Sequence, residues 1–458
     1  MAARSGVRAQ DPALVRGGKC VKRSLSIALL LAGALAALGA CARLDRSVRV
    51  FPLGSGDMVD VTAGPRFDDF RQAFANLDFS AILEADLDVD SRTMLRAVRS
   101  VMDGDMAGAE ALFRGVAEQA RESWVRRTAG EILVQLLFFQ SKWGELSRLI
   151  ALASAADGSP GGDELPFREL NEGFAESYRF SDRPEVMPLK LSLSGSPLIP
   201  VRIRGRQENF WLDTGSSLSV LATDLADRLQ ISPLNRTRGL ASTSTYKRIG
   251  ASLTVIDAMR IGALEISNHP AMIVNTKDLF FKIPGIFQRR RITRVTGVKG
   301  ILGMNAIQHL LIRLDYHDRR ITIRRPERQG SGERNLFWLG YPILICRGAN
   351  GARLYFGLDT GAWHTVISPT IFAKIGPSPS YRMRLKLWGA GGEMKVRTQI
   401  LHRFQLLAAG RRFEFNDVLV LPLNFFGFIT LDGILGNDFF SGCGRVAFDL
   451  ANGKFAIE

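Results

Sequence analysis

Histidine is scarce in this chain: five copies in 458 residues, at His269, His309, His317, His364 and His402. They are scattered, and none lies at metal-ligand spacing from another or from a cysteine, so no metal and no other cofactor is expected. Cysteine is equally sparse, with four copies. Cys20 and Cys41 fall near the N-terminus, and Cys346 and Cys443 near the C-terminus. An oxidising compartment permits a disulfide between the latter two, two buried free thiols are the alternative, and sequence does not choose between them. An apolar run of membrane-spanning length is missing: SLSIALLLAGALAAL is too short and too rich in alanine to favour a permanent span. Acidic residues are in deficit, 45 against 60 Lys and Arg, for a formal net charge of +15. Six of the basic residues (Arg4, Arg8, Arg16, Lys19, Lys22, Arg23) sit in the first forty positions against Asp11 alone, so the rest of the chain carries 15 − 5, or +10. A field of that sign attracts anionic lipid, cell-wall polymers or acidic partners.

The N-terminus points to export. Lys22-Arg23 precede the apolar run and Gly39-Ala40-Cys41 follow it, the order of a secretory signal. Leu38-Gly39-Ala40-Cys41 also resembles a bacterial lipobox. That resemblance implies acylation of Cys41 as the first mature residue, attachment to a membrane through that lipid, and a chain facing the periplasm of a bacterial cell envelope. Ala42 is compatible with sorting to the outer membrane. An ordinary secretory signal or a short anchor is the alternative. Nucleic acid is not an expected partner of an exported chain.

At 458 residues two or three domains are expected. Residues 1–41 read as the signal and 42–64 as a tether. Residues 65–156 read as helical: Met94, Leu95, Val98, Val101 and Met102 share one helical face. Met106, Ala109, Leu112, Phe113, Val116 and Ala120 resume that spacing after Asp103-Gly104-Asp105. EILVQLLFFQ and WGELSRLIAL form a second pair around Ser141-Lys142. Superposing Leu112 on Leu149 gives a period of 149 − 112 = 37, close to a tetratricopeptide unit but without most of its signature aromatics. The expectation is stacked helical hairpins, packing on the rest of the chain or offering a groove to a protein partner. Residues 157–185 read as a linker, opened by the Gly-, Pro- and Asp-rich stretch 157–163. Beyond it, short apolar stretches and frequent turn residues predict an all-β region in two lobes, 186–328 and 329–458.

Each lobe carries the same triplet in the same setting: Asp213-Thr214-Gly215 in NFWLDTGSSLSVL and Asp359-Thr360-Gly361 in LYFGLDTGAWHTVI. Each is followed by an apolar pair between glycines, Gly300-Ile301-Leu302-Gly303 and Gly433-Ile434-Leu435-Gly436, in which the Ile-Leu pairs read as packing residues. The triplets are 146 residues apart and the downstream motifs 133, so the first lobe holds thirteen extra residues between its motifs. The surplus falls in NTKDLFFKIPGIFQRRRITRVTGVKG, whose Arg289-Arg290-Arg291 and Arg294 read as a solvated loop or as a steering patch for anions. A duplicated lobe offering one aspartate per copy is the pattern of a two-carboxylate site.

These motifs resemble the aspartic proteases of the retropepsin and pepsin clan, over roughly residues 186–458. The resemblance implies a bilobal, mostly β fold with both halves of the site in one chain, as in pepsins, and compact lobes nearer the retropepsin style. It implies an aspartic endopeptidase acting on a peptide or protein substrate, with Asp213 and Asp359 as the catalytic pair. Carboxylates about 3 Å apart cannot both ionise, so the pair shares a proton: one member takes a proton from attacking water and the other donates to the peptide carbonyl. By the same analogy Thr214 and Thr360 cross-link the two loops. Gly215 and Gly361 permit the tight turn behind each carboxylate. Ser216 is expected to hydrogen-bond Asp213 and favour its ionised form, a help Ala362 cannot give Asp359, and the asymmetric pair is expected to work at mildly acid pH. The flaps fall in LASTSTYKRIG and LWGAGGEMKV, where Tyr246 or Trp388 either covers the cleft or sits as an exposed tip. His364 is expected in the core or at the surface rather than in the cleft. The rival reading is a non-catalytic peptide-binding module on the same fold with a helical scaffold.

Overall fold

The computed structural model describes residues 30–31, 36–38, 47–52, 67, 69–156, 167, 170–171, 173–234, 239–243, 247–283, 294–327, 333–390, 392–423 and 428–458. Among the described residues, five α-helices lie in the N-terminal third: Phe70–Ala75, Val89–Asp103, Met106–Gln119, Ser123–Phe139 and Trp143–Ala156. Asp69, Asp88 and Asp105 cap the first three by accepting first-turn N–H groups. Gly104 closes the second at φ 84°, a left-handed turn suited to glycine. Met94, Leu95, Val98 and Val101 are buried on one face as the periodicity predicts, and successive helices from Val89 onward pack against one another. The tetratricopeptide likeness goes no further than this helix–turn–helix order.

Both lobes are built on one strand plan. In the first the sheet runs Gly239–Thr243, Arg248–Ile261, Leu264–Val274, Ser219–Ala222, Gly300–Leu302, Arg206–Leu212 and Pro197–Ile203. In the second the corresponding order is Ser380–Gly389, Gly392–Ala408, Arg411–Val420, Val366–Ile367, Gly433–Leu435, Arg353–Leu358 and Pro342–Gly348. The strand entering each triplet lies parallel to its Ile-Leu strand, Leu212 opposite Leu302 and Leu358 opposite Leu435. A third sheet joins the lobes, because Leu311–Asp315 of the first pairs antiparallel with Arg445–Asp449 of the second. The turn at Arg204-Gly205, both at positive φ, closes the hairpin between Pro197–Ile203 and Arg206–Leu212.

Part of the expected tether is a strand. Val48–Pro52 runs antiparallel to Arg411–Phe415, with Val48 and Val50 packed on the second lobe's core, because the alternation in VRVFP suits a sheet edge. Ser177–Arg179, inside the expected linker, and Glu185–Pro188, at its boundary with the first lobe, likewise add to sheets; the stretch 157–163 lies outside the described residues. Within the expected signal, Leu30–Leu31 pairs with Ser242–Thr243 and Ala36–Leu38 with Lys386–Trp388. The extra residues of the first lobe include a two-stranded ribbon, Phe280–Ile283 on Arg294–Gly297; Arg289, Arg290 and Arg291 lie outside the described residues.

The helical region docks on both lobes. The Trp338 indole donates to the Gln135 carbonyl at 3.2 Å and stacks on Phe139. Ser141 Oγ meets His309 Nε2 at 3.0 Å on the first lobe.

Candidate active site

Each Asp-Thr-Gly loop is suspended from the strand behind it. The Asp213 N–H donates to the Leu302 carbonyl at 3.1 Å, and the Asp359 N–H to the Leu435 carbonyl at 3.0 Å. The flanking glycines are dictated by close approach. A Cβ on Gly300 or Gly433 would overlap the ring of Phe210 or Phe356, and one on Gly303 or Gly436 would enter the backbone at Leu218 or His364. The Gly-Ile-Leu-Gly motif therefore supplies two tight packing points around a buried apolar pair, with Ile301, Leu302, Ile434 and Leu435 all in the core.

The loops lock onto each other across the lobe boundary. The Thr214 N–H donates to Thr360 Oγ1 at 3.1 Å, and the Thr360 N–H to Thr214 Oγ1 at 3.0 Å. Each hydroxyl then donates to the opposite strand, Thr214 to the Leu358 carbonyl at 2.7 Å and Thr360 to the Leu212 carbonyl at 2.5 Å. This reciprocal grip sets Asp213 and Asp359 against one another, close enough for each to shift the other's protonation, and both are buried. A Cβ on Gly361 would lie 2.5 Å from Asp213 Cγ, so the second loop's glycine is seated directly on the first loop's carboxyl.

The two carboxyls differ in their support. Burial and the facing Asp359 charge push Asp213 well above the usual carboxylate range, opposed by the N–H groups of Gly215 and Ser216. Burial also raises Asp359, but only to about 6. Oδ1 of Asp359 accepts from the N–H groups of Gly361 and Ala362, both at 2.8 Å, and Oδ2 accepts from the Tyr341 hydroxyl at 2.9 Å. Three donors on one side against backbone donors alone on the other make Asp359 the better-stabilised anion. The expected role of Ser216 is corrected: its hydroxyl donates to the Leu218 carbonyl at 2.8 Å, within its own loop. Tyr341 supplies to Asp359 what Ala362 cannot.

A second hydrogen-bonded chain lies beneath the first loop. Ser219 Oγ meets His269 Nε2 at 2.8 Å, and His269 Nδ1 meets Glu176 Oε1 at 2.5 Å. Tyr178 and the helical region's Trp143 add donors to Glu176 at 2.6 and 3.4 Å. The order serine–histidine–carboxylate is that of a hydrolytic triad, yet Ser219 and His269 are buried and Ser219 Oγ also accepts the Gly303 N–H. The chain braces the loop from behind. In the second lobe Asp438 does the corresponding work alone, accepting the N–H and hydroxyl of Thr365.

His364 is partly buried, stacked on Trp363 and 3.7 Å from Asp438. Cys346 and Cys443 carry free thiols: Cys346 is buried in the strand Pro342–Gly348, while Cys443 ends the helix Asn437–Cys443 beside Tyr316, so the disulfide is not formed. Trp388 lies opposite Glu393 near the tip of the hairpin formed by Ser380–Gly389 and Gly392–Ala408; Tyr246 and Cys41 lie outside the described residues. Among the described residues, one His and carboxylate grouping is compact enough for a cation, Asp315, His317 and Asp318. Arg445 pairs with both of its carboxylates.

Two lobes of one plan, each contributing an Asp-Thr-Gly loop to a shared pair of buried carboxyls, define an aspartic protease fold. The sequence agrees: the profile of a family described as aspartyl protease matches residues 199–306 and 348–439. No curated protein matches the chain. Among solved structures, a retropepsin-like aspartic protease from Rickettsia conorii aligns at 14% identity and a TM-score of 0.20, covering 32% of this chain and 96% of its own. Conglutin gamma from lupine seeds aligns at 11% identity and a TM-score of 0.31, covering 60% of this chain and 94% of its own. Basic 7S globulin from soybean aligns at 11% and 0.31, covering 60% and 93%. Superpositions this loose add no weight to the paired sites.

Proposed function

We propose that the protein is an aspartic endopeptidase, held at a bacterial membrane by a lipid on Cys41 and facing the periplasm. The reading is carried by one observation: a reciprocal threonine lock that sets two buried carboxyls against each other. Burying one ionisable carboxyl is costly and burying two in contact more so. A module that only bound peptides would gain nothing from that cost.

In the reaction, water held between the carboxyls gives a proton to the ionised aspartate as its oxygen bonds to the scissile carbonyl carbon. The carbonyl π electrons move to oxygen, which takes the proton of the other aspartate, leaving a neutral gem-diol. Collapse returns a hydroxyl proton to the dyad, protonates the amide nitrogen and breaks the C–N bond. Flap strands suit an extended substrate, since their edges already accept extended backbone from Leu30–Leu31 and Ala36–Leu38.

The test is cleavage of an unbiased peptide mixture by residues 42–458 across acid to neutral pH, with Asp213→Asn and Asp359→Asn as controls and a statine-type inhibitor. Inhibitor-sensitive cleavage lost in both variants supports the reading. A folded wild-type chain that cleaves nothing overturns it in favour of a peptide-binding module. The anchor is tested separately, by mass spectrometry for an acylated Cys41 at the mature N-terminus.

A further inference from the structure

Tyr341 stands where no triplet motif would place a functional group. It precedes the strand Pro342–Gly348, the outer arm of the hairpin that returns into Asp359. Its ring is buried and its hydroxyl donates to Asp359 Oδ2 at 2.9 Å. The opposite arm is cut to fit that ring. A Cβ on Gly357 would lie 2.7 Å from two Tyr341 ring carbons, so a larger residue there would expel the tyrosine.

The first lobe makes the opposite choice at both positions. Ser196-Pro197 begins the strand that corresponds to the one begun by Tyr341-Pro342. Trp211, opposite Leu198, corresponds to Gly357, opposite Ile343. Bulk has moved from the strand entering the triplet to the residue facing it, and only in the second lobe does this carry a hydroxyl to the carboxyl. Ser196 makes no bond to Asp213; its Oγ lies 3.4 Å from the Gly361 carbonyl.

We propose that Tyr341 is a positioning residue that holds Asp359 as the ionised member of the pair, giving Asp359 the water-activating role and Asp213 the proton-donating one. The inference rests on the protease reading for its consequence but not for its geometry. The titratable side chains found against Asp359 are Asp213, from the facing loop, and Tyr341 itself; the other donors are the backbone N–H groups of Gly361 and Ala362. A phenol donating to a carboxylate stabilises the charged form, and here it opposes the upward push of burial on Asp359.

The experiment compares wild type, Tyr341→Phe and a chain carrying 3-fluorotyrosine at 341, whose more acidic phenol donates more strongly. Two readouts are taken on each: the pH profile of kcat/KM, and titration of the aspartate carboxyl carbons by NMR with 13C label, assigned through Asp213→Asn and Asp359→Asn. Loss of the hydroxyl should raise the Asp359 titration and the acid limb of the profile by about one to two pH units, the range expected for one hydrogen bond to a charge. Fluorotyrosine should move both downward. A Tyr341→Phe chain that folds with the titration unmoved overturns the proposal, even if activity falls, since a merely structural tyrosine would lower kcat without shifting the limb. If the wild type cleaves nothing, the protease reading fails, and the carboxyl titration still decides what Tyr341 does. If Tyr341→Phe does not fold, the fluorotyrosine chain decides by the sign of its shift.

Discussion

Lys374 Nζ lies 2.8 Å from Asp432 Oδ2, with both side chains almost wholly out of water. Asp432 immediately precedes the strand that suspends Asp359, and Lys374 also donates to the Asn76 carbonyl of the helical region at 2.9 Å. The pair therefore ties the helical region to the scaffold of the second loop. Removing one partner strands the other charge in the core, a loss of about 3–5 kcal/mol. Lys374→Met and Asp432→Leu should each lower the melting temperature by several degrees, and the double variant by less than the two losses added. Calorimetry on the three chains checks this. Additive or negligible losses would mean the pair is not coupled as its geometry indicates.

Gly361 has no room for a side chain, because Asp213 fills the space where a Cβ would stand. Gly361→Ala must displace the Asp213 carboxyl or the second loop. A shift of that kind misaligns the pair and should lower kcat by about a hundredfold with a smaller effect on KM. Steady-state kinetics beside a thermal melt decides it; a chain of unaltered kcat would show that the loops tolerate separation.

The dyad should destabilise the fold near neutral pH. Asp359 titrates at about 6 in the folded chain against an ordinary 3.8, so between those values the folded state binds more protons than the unfolded one. Its contribution to stability therefore falls as pH rises through that window. The gap corresponds to roughly 3 kcal/mol for one carboxyl, and Asp213, also raised by burial and the facing charge, acts in the same direction. Asp213→Asn and Asp359→Asn should each melt higher than wild type at pH 7 to 8, with the advantage gone by about pH 4. Melting curves across that range test the sign. Asparagine variants that melt lower at neutral pH would show that the carboxylates are held favourably.

What was legible in the sequence was local and what was not depended on chain return. The Gly-Ile-Leu-Gly motifs and the second triplet stand out because Gly300, Gly303, Gly361, Gly433 and Gly436 each answer a close approach that no larger residue allows. The helices were readable from their apolar spacing on either side of Asp103-Gly104-Asp105. Tyr341 was not, because eighteen residues separate it from Asp359 and only the hairpin between them brings the hydroxyl back. Aligning the lobes would have exposed the exchange of Ser196 and Trp211 for Tyr341 and Gly357, though not its purpose. Ser216 was misread because a hydroxyl beside a carboxylate can turn either way, and here it caps the Leu218 carbonyl. Val48–Pro52 was missed because its partner strand lies more than 350 positions onward.

The threonine lock supplies the sharpest test of how the halves of the site are held together. Thr360 Oγ1 accepts the Thr214 N–H and donates to the Leu212 carbonyl, and both partners are in the buried loops of the other lobe. Thr360→Val keeps the shape of the side chain and removes both bonds, leaving a buried N–H and a buried carbonyl unpaired. At about 1–3 kcal/mol for each stranded group the loss should reach several kcal/mol. The reciprocal bond from the Thr360 N–H to Thr214 Oγ1 survives, so the loops should stay together but loosely. Stability and kcat should then fall together, because the same bonds hold the fold and align the carboxyls. Thr360→Ser keeps the hydroxyl and gives up only a methyl, and it should recover most of both. Denaturant melts and kinetics on the two variants read the result. A serine chain as damaged as the valine chain would assign the role to packing of the methyl, and the hydrogen bonds would not be what holds the lobes in register.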